Sequence, residues 1–348
     1  LDAAGRVTGV TVVGRNGGTI DREIRQYDTA GRLTAATDAM GNTTHYRLIQ
    51  PGAAPDGRLR ERVTHPDGST AVTVFNPDRT IHSTGDGVAA VRYLYGPNWT
   101  RNMGDGTTVF RDLIGRENRT VYRDGSSAIR ICDDRGRLIR STSAANRTLL
   151  GEYDASDATA RTVVDLNADG VADAGDLVTE TRSRYENYRG VACRVEARTR
   201  LQNGESAPLE SRIESVDGNE SWYIDRRGGV THHKRERAGE GQWRELSVLP
   251  DGNATVKTFC NGRLLAEEQW RNNGNPGVRT DYEYDEFNRM IKQTESLNGR
   301  VLNTVGLAYD RNDQLVSRSE NDRKTVYRYD AMGRLQECVL PDGRIETV

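Results

Sequence analysis

The residues whose types and spacing point most clearly to chemistry lie between positions 165 and 176, where the sequence reads DLNADGVADAGD. Side chains that carry oxygen atoms stand at its first, third, fifth, ninth and twelfth positions, which are Asp165, Asn167, Asp169, Asp173 and Asp176. A glycine at the sixth position permits a sharp turn, and Val171 at the seventh offers its backbone carbonyl. A hard cation such as Ca²⁺ needs several oxygens that converge from one tight turn. The spacing predicts a calcium-binding loop, and calcium is the only cofactor that the sequence suggests.

An alternative interpretation of this segment is a hairpin loop rich in Asp and Gly that holds no ion. Asp176 at the twelfth position has a shorter reach than the bidentate Glu of an EF-hand. The preceding residues 161–164 favour a strand rather than an entering helix, because three of them are β-branched. The loop nevertheless resembles those of dockerin-type modules, in which the twelfth residue can be Asp. If an ion binds, we expect it to stabilise the loop rather than to act as a sensor.

Other residue types that carry catalysis show no such pattern. His232 and His233 are adjacent on a predicted strand, so they point to opposite faces and make a poor chelate. His45, His65 and His82 have no Asp or Glu at a spacing that indicates acid–base chemistry. The G-x-S-x-G motif does not occur, and the four cysteines form no C-x-x-C pair. We therefore expect no enzyme activity and no zinc site; disulfides are permitted by the even count but not required.

A short repeated unit organises most of the chain. It consists of an aromatic residue, Asp, two variable residues, Gly, Arg and an aliphatic residue, and it is intact at residues 27–33 and 329–335. Weaker copies occupy residues 284–290, 309–315 and 132–138, and a truncated copy occupies residues 2–7. The turn residues predicted from the clearest copies are Tyr27, Asp28, Gly31, Arg32, Tyr284, Asp285, Tyr309, Asp310, Tyr329, Asp330, Gly333 and Arg334.

The unit has the composition of a tight reversal between two strands. Asp at the first turn position and Gly at the fourth are typical of a type I turn. The Gly then accepts the left-handed conformation that closes a hairpin through a bulge. Asn288 and Asp313 replace it in the weaker copies, and Asn and Asp tolerate this conformation next best. We expect the motif arginines, such as Arg32, Arg137 and Arg334, to lie on the sheet surface and to pair with acids on neighbouring strands. The sequence thus predicts an all-β fold of repeated antiparallel hairpins.

The composition is typical of an ordered chain in which many side chains are exposed to solvent. Hydrophobic residues make up 35% of the chain, aromatic residues only 6%, and the mean hydropathy is −0.75. The 49 basic residues nearly balance the 51 acidic ones, which leaves a net charge of −2. This balance predicts neither disorder nor a nucleic-acid partner, because both need an excess of one charge. No apolar stretch approaches the roughly 18 residues of a membrane-spanning helix, so we expect no membrane span.

The tyrosine-aspartate units resemble the YD repeats of the Rhs (rearrangement hotspot) family, which also occur in teneurins and in toxin-complex shell proteins. The resemblance covers about residues 1–150 and 220–348. It implies a continuous sheet that spirals into a hollow shell, and in bacterial members this shell encloses a C-terminal toxin. One feature departs from the toxin class: the Asp-Pro-x-Gly-Leu core motif does not occur in this sequence. The resemblance therefore assigns no payload to this segment.

We expect three parts: a hairpin array at residues 1–150, a less regular β segment with the calcium-loop-like insertion at 151–220, and a second hairpin array at 221–348. Together they would form one fragment of a larger shell. The leading hypothesis is a non-catalytic scaffold segment of a large secreted or cell-surface protein, which walls off a toxin or other payload. Its partners would be the remainder of the same polypeptide and that payload.

Two rival functions stay open at this point. An adhesin would recognise a glycan or a cell-surface protein through exposed aromatic side chains such as Trp99, Trp222, Trp243 and Trp270. A polysaccharide-acting enzyme on a β-propeller is less favoured, because propeller blades repeat at about 40–50 residues. The aromatic anchors at Tyr284, Tyr309 and Tyr329 are instead spaced by 25 and 20 residues.

Overall fold

The computed structural model describes residues 1–54, 56–86, 90–173, 175–202, 205–272 and 274–348. These residues form thirty β-strands and one short 3-10 helix, Pro51–Ala53, so the predicted all-β fold is confirmed. They include no helix with the length and apolar character needed to cross a lipid bilayer. The chain divides into two compact units: residues 1–92, 259–268 and 276–348 form unit 1, and residues 93–258 and 269–275 form unit 2.

Unit 1 contains strands from both ends of the chain. Its N-terminal arm, residues 1–92, holds β1 Gly9–Val13, β2 Thr19–Tyr27, β3 Leu33–Asp38, β4 Thr43–Ile49, β5 Arg60–Thr64, β6 Thr70–Phe75, β7 Ile81–Gly85 and the first half of β8 Ala90–Tyr95. Its C-terminal arm, residues 276–348, holds β24 Pro276–Tyr284, β25 Met290–Leu297, β26 Arg300–Tyr309, β27 Leu315–Glu320, β28 Arg323–Tyr329, β29 Leu335–Val339 and β30 Ile345–Thr347. Residues 259–268 add the end of β22 and most of β23 Arg263–Trp270.

Unit 2 contains the middle of the chain and its longest strands. Its strands are the second half of β8, then β9 Trp99–Asn102, β10 Thr108–Arg111, β11 Glu117–Val121, β12 Ser127–Cys132, β13 Leu138–Thr142, β14 Thr148–Tyr153, β15 Thr159–Asp165, β16 Leu177–Tyr188, β17 Val191–Gln202, β18 Glu205–Ser215, β19 Glu220–Ile224, β20 Val230–Gly239, β21 Gln242–Val248 and most of β22 Ala254–Cys260. The calcium-loop-like segment connects β15 to β16.

The strand pairings that the structure describes are antiparallel and join strands that follow one another in the chain. In β28 and β29, for example, Val326 lies opposite Val339 and Tyr327 opposite Cys338. The register then shifts between Arg328 and Tyr329, immediately before the turn. The same shift precedes Tyr27, Tyr284 and Tyr309, so each of these hairpins has a bulge next to its turn, on the strand that leaves the turn.

The residue in the glycine position of each unit is left-handed. Gly31 and Gly333 have φ values of 80° and 76°, and Asn288 and Asp313 have values of 68° and 64° in the weaker copies. A residue with a bulky or branched Cβ is strained in this region, whereas Gly, Asn and Asp tolerate it. Backbone conformation, rather than side-chain chemistry, therefore selects the residue at this position.

The chain buries little of its surface for its size. Its accessible area is 22198 Å², whereas a compact protein of 38.7 kDa exposes about 14,000 Å². Many strands are half-buried along their whole length, and all six residues of β6 belong to this class. The described residues include nine buried hydrophobic side chains, which is few for a chain of this length. This is the exposure of a thin sheet with two wet faces.

The densest apolar packing lies in unit 2, around Trp222. The indole is 3% exposed and packs with Cys193, Val195 and Ile213 from neighbouring strands. The ring of Tyr188 meets it edge to face, with the centroids 5.1 Å apart. This cluster supports β17 to β19, the strands that carry its members.

Candidate functional site

The repeated turn is held by the carboxylate of its aspartate. Asp28 Oδ1 accepts hydrogen bonds from the backbone N–H groups of Ala30 and Arg32, both at 2.9 Å. The N–H of Gly31 donates to the Asp28 carbonyl at 3.0 Å. The backbone N–H and the guanidinium of Arg32 lower the pKa of Asp28. The carboxylate is thus kept ionised to hold the turn, which is a structural use of the charge.

The other predicted turns repeat this geometry. Asp285 Oδ1 accepts from the backbone of Phe287 and Arg289, Asp310 Oδ1 from that of Asn312 and Gln314, and Asp330 Oδ1 from that of Met332 and Arg334, at 2.8–3.0 Å. The backbone N–H of Arg334 is the main cause of the lowered pKa of Asp330. At Asp285, burial raises the pKa, but hydrogen bonds from Arg289 outweigh it and the net shift is downward.

The prediction that the motif arginines pair with acids on neighbouring strands was wrong for Arg32. Its Nε donates to Asp28 Oδ2 at 2.7 Å, within its own turn. Arg334 makes the same bond to Asp330 at 2.7 Å. The reason is geometric, since a tight reversal brings side chains four residues apart to the same side. Some motif arginines also form a second salt bridge, with an acid in another turn. Arg334, for example, pairs with Asp67 at 3.1 Å.

Four tyrosines that directly precede a turn aspartate bind the preceding repeat. Their hydroxyl groups donate to backbone carbonyls 14–20 residues earlier, at 2.8–3.1 Å. The pairs are Tyr27 with Val7, Tyr153 with Leu138, Tyr284 with Leu264 and Tyr329 with Leu315. Three of these carbonyls belong to the aliphatic residue that ends a predicted copy of the unit, namely Val7, Leu138 and Leu315. Each such bond ties one turn to the strand that leaves the turn before it.

Several motif arginines bind the following repeat. Arg289 Nη1 donates to the carbonyl of Asp310 at 2.7 Å, and its guanidinium lies 5.3 Å from the ring centre of Tyr309. Arg6 reaches the carbonyl of Asp28 at 3.4 Å and covers the ring of Tyr27 at 4.9 Å. Turns that are 20 or more residues apart are therefore linked in both directions, by a tyrosine backwards and by an arginine forwards.

Three further turns of the same kind that have no aromatic residue before the aspartate were missed by the sequence interpretation. They begin at Asp38, Asp112 and Asp225, and each carboxylate accepts the backbone N–H groups two and four residues later. None follows an aromatic residue. Asp112 was the easiest to find, because Gly115 and Arg116 follow it at the motif spacing and Arg116 Nε bonds its Oδ2 at 2.7 Å. The simpler pattern Asp-x-x-Gly identifies all three.

Within unit 1, the two arms meet along a set of polar contacts that we name the seam. Asn312 Nδ2 donates to Asp38 Oδ2 at 2.7 Å, and Asn312 Oδ1 accepts the N–H of Ala39 at 3.1 Å. Arg22 pairs with Asp313 at 2.7 Å. The seam residues are Arg15, Arg22, Asp38, Ala39 and Asp67 in the N-terminal arm and Asp285, Glu286, Arg311, Asn312, Asp313 and Arg334 in the C-terminal arm. All the C-terminal contributions come from Tyr-Asp turns.

Two glycines permit close approach at the seam. A Cβ on Gly14 would lie 2.8 Å from the Glu286 side chain, and one on Gly18 would lie 2.7 Å from it. The N–H of Arg15, between them, donates to the Glu286 carbonyl at 3.1 Å. An open cavity of 640 Å³ follows the seam and is bordered by Arg22, Asp38 and Asn312 among others. The seam thus combines direct contacts with space for solvent.

The predicted calcium loop lies in unit 2 and is flanked by strands. Asp165 ends β15 and is 5% exposed, and Asp176, just before β16, is 1% exposed. Asn167, Asp169, Val171 and Asp173 are solvent-accessible between them, and Ala174 lies outside the described residues. Among the residues that the structure describes, no three acidic, His or Cys side chains already stand together as a formed metal site.

The two adjacent histidines, His232 and His233, contact side chains on neighbouring strands. His232 stacks on Trp222 with the ring centres 4.9 Å apart, and its Nε2 lies 3.0 Å from Glu220 Oε2. His233 faces Ser247, at 2.7 Å from Nδ1 to Oγ. The sequence interpretation missed the Glu220 contact, because it depends on the pairing of β19 with β20. All four cysteines are free thiols.

Comparison with known proteins agrees with this geometry. The sequence model of the family described as RHS Repeat matches residues 27–70 and 309–345, each of which includes Tyr-Asp turns of unit 1. No curated protein matches the chain in a sequence search.

Several solved structures share the fold at 13% sequence identity. A crystal structure of TcdB2-TccC3 has a TM-score of 0.54 and covers 95% of this chain and 21% of its own. TcdB2-TccC3-Cdc42 has a TM-score of 0.53, with 91% and 19% covered. A Tc holotoxin pore of Photorhabdus luminescens has a TM-score of 0.52, also with 91% and 19% covered. The chain therefore spans about a fifth of the length of these chains, and at this identity the likeness shows the fold alone. The chain thus carries RHS repeats at its two intact Tyr-Asp turns and shares its fold with these toxin-complex structures over nearly all of its length.

Proposed function

We propose that the chain is a non-catalytic wall segment of a larger secreted Rhs-repeat protein and that this wall encloses a polypeptide payload. The observation that carries the proposal is the seam. Turns of the C-terminal arm bond to residues more than 260 positions earlier in the chain, as Arg334 does to Asp67. These bonds join side chains and turn backbones outside any strand ladder. A sheet held to itself in this way forms a barrier wider than a row of paired strands.

The small apolar core of the fold also suits a wall. Each strand bonds its neighbours, and the Tyr-Asp turns are each fixed by their own aspartate, so stability does not depend on a thick apolar core. A thin sheet leaves both faces wet, in agreement with the accessible area of 22198 Å². Such a sheet can present one face to an aqueous interior and the other to the outside. The toxin-complex structures that share the fold support this interpretation, since Rhs shells of the resembled family enclose a toxin.

The adhesin alternative gains no support from the tryptophans. Trp222 is 3% exposed and lies within the apolar cluster, and Trp99 and Trp243 are half-buried. Trp270, at 37%, is the most exposed of the four. Glycan recognition by stacking needs an accessible aromatic face, and three of the four tryptophans do not offer one.

Protease protection of the whole polypeptide tests the proposal. In the full-length protein that contains this chain, we expect the enclosed segment to resist a protease that digests the same segment expressed alone. The variant with both Arg22→Ala and Asn312→Ala removes the two best-formed seam contacts and should speed cleavage of that segment. Arg344→Ala, in an exposed turn whose arginine pairs with Asp342 at 2.7 Å, is the matched control and should not. Equal cleavage of the enclosed and isolated segments would overturn the proposal.

A further inference from the structure

The connection between β15 and β16 is longer than the Tyr-Asp turns. It runs over residues 166–176, whereas the Asp330 turn between β28 and β29 needs only residues 330–334. A longer loop costs more conformational entropy to fix in one arrangement. Left-handed residues at Ala168, with φ of 61°, and Gly170, with φ of 82°, show that it is tightly folded. Some interaction beyond strand pairing must hold it.

The side chain of Asp165 is buried, and one of its two carboxylate oxygens has no hydrogen-bond partner in the loop. The side chain is 95% buried, since its exposure is 5%. Oδ2 accepts the N–H of Gly170 at 2.9 Å, so the carboxylate points into the loop. Oδ1 is buried and has no hydrogen-bond partner. A buried, charged oxygen without a partner is strongly unfavourable and rare in native proteins. A cation inside the loop would satisfy it.

The second buried carboxylate closes the other end of the loop. Asp176 Oδ1 accepts the N–H of Leu166 at 2.9 Å, and Oδ2 accepts the N–H of Asp173 at 3.1 Å. Each oxygen of a carboxylate has a further lone pair available to a ligand. With Asp169 and Asp173, the loop holds four carboxylates, and among the described residues no Lys or Arg forms an ion pair with any of them. Carboxylates gathered in one loop repel each other when they are ionised.

Asn167 shows how the accessible side chains would complete a site. Its Nδ2 donates to Asp169 Oδ2 and to Asp173 Oδ2, both at 3.1 Å. The amide therefore takes the place of a positive charge between these two carboxylates. Its Oδ1 accepts the N–H of Asp169 at 3.1 Å, and rotation of the side chain would exchange this bond for one from Oδ1 to a cation. Asp169 and Asp173 are exposed, so they can move inward.

We propose that this loop binds one Ca²⁺ and that the ion fixes the β15–β16 hairpin. The ligand set is oxygen alone, from Asp165, Asn167, Asp169, Asp173 and Asp176 with the Val171 carbonyl, which suits a hard cation and excludes a preference for zinc. The side chains must shift to coordinate, and Ca²⁺ tolerates irregular geometry better than Mg²⁺ does. Bound at this place, the ion orders the turn next to Val164 and Leu177, the last pair of the two strands.

Calcium titration of the full 348-residue chain tests the site. After removal of metals with a chelator, calorimetry with CaCl₂ alone should show one bound ion per chain. Excess calcium should raise the melting temperature by roughly 5 °C, because it binds only the folded loop. MgCl₂ at the same concentration should bind at least tenfold more weakly.

Variants locate the ion. Asp169→Asn combined with Asp173→Asn keeps a side-chain oxygen to accept the N–H groups of Val171 and Gly175 but removes two carboxylate charges, and it should weaken calcium binding at least tenfold. Asp165→Asn should abolish binding, although this buried change also perturbs the loop. The matched control is Asp154→Asn, in the adjacent hairpin turn, where the carboxylate accepts the N–H groups of Ser156 and Ala158 at 3.0 Å; it should bind as the wild type does. Absence of binding at millimolar calcium, or unchanged binding by the Asp169 and Asp173 double variant, would overturn the proposal.

Discussion

Replacing Arg289 with alanine should release one repeat from the next. The Arg289 side chain is 18% exposed and pairs with Asp285, which is 17% exposed, at 2.7 Å. It also donates to the Asp310 carbonyl at 2.7 Å and covers the ring of Tyr309. We estimate about 1 kcal/mol for the ion pair, about 1.5 kcal/mol for the charged hydrogen bond and about 0.5 kcal/mol for the ring contact. The Arg289→Ala change should thus lower the free energy of opening of this region by about 3 kcal/mol.

Native-state hydrogen exchange is the suitable assay, because it reports the opening of individual hairpins rather than of the whole chain. The amides to follow are those of β26 and β27, the strands on either side of the Asp310 turn. Arg289→Lys keeps the charge but lacks the planar fork, so it should recover only part of the loss. The control is Arg32→Ala, since Arg32 makes the same bond within its own turn but is 48% exposed.

The difference between the effects of Arg289→Ala and Arg32→Ala tests whether the arginines couple one repeat to the next. We expect Arg32→Ala to change the exchange of its neighbouring hairpins far less than Arg289→Ala does. If both changes have the same effect, or if Arg289→Lys behaves as the wild type, then the forward bond from one turn to the next contributes nothing measurable. The coupling of repeats through their arginines would then be refuted.

Two further predictions concern the same turns. Tyr329→Phe removes the hydroxyl that donates to the Leu315 carbonyl at 2.9 Å, and in a urea titration it should destabilise β27 and β28 by about 1 kcal/mol. Tyr185→Phe, at a side chain that is 77% exposed, is the control and should have no effect. Equal unfolding midpoints for both variants would contradict this prediction. Hydrogen bonds from the Ser215 hydroxyl and from Asn219 lower the pKa of Asp217 to about 2. Because this pKa lies below the ordinary value of about 3.9, the stability contributed by the ionised carboxylate is complete above pH 4 and is lost as the pH falls towards 2. An NMR titration should give a pKa of about 2 for Asp217 and a higher value in Ser215→Ala, and an ordinary value in the wild type would count against the hydrogen bonds.

The fold was predictable because a few neighbouring residues determine each Tyr-Asp turn. The Asp and Gly of the unit fix a reversal over five residues, and the alternation of the flanking strands follows from it. The substitutions Asn288 and Asp313 were informative for the same reason, since few residue types accept a left-handed backbone. The turn at Asp112 keeps Gly115 and Arg116 at the motif spacing but has Arg111 in place of the aromatic residue, so the full unit does not identify it.

The contacts between repeats were not predictable from local patterns. The acid partner of Arg32 depends on how a tight turn places side chains, and the Glu220 partner of His232 depends on strand register. Seam contacts such as Asn312 with Asp38 join residues separated by 274 positions, which no spacing rule connects. In the calcium loop, the ligand spacing was visible, but the burial of Asp165 and its unpartnered oxygen appeared only in the structure.

Calorimetry of the isolated chain measures the central claim most directly, namely that the repeats form a thin sheet with little apolar core. Unfolding of an ordinary globular protein raises the heat capacity by about 12–15 cal/mol/K per residue, because buried apolar surface becomes exposed. We expect a clearly smaller increase per residue, because the described residues include only nine buried hydrophobic side chains. An increase within the ordinary range would contradict the thin-sheet structure and the wall built from it.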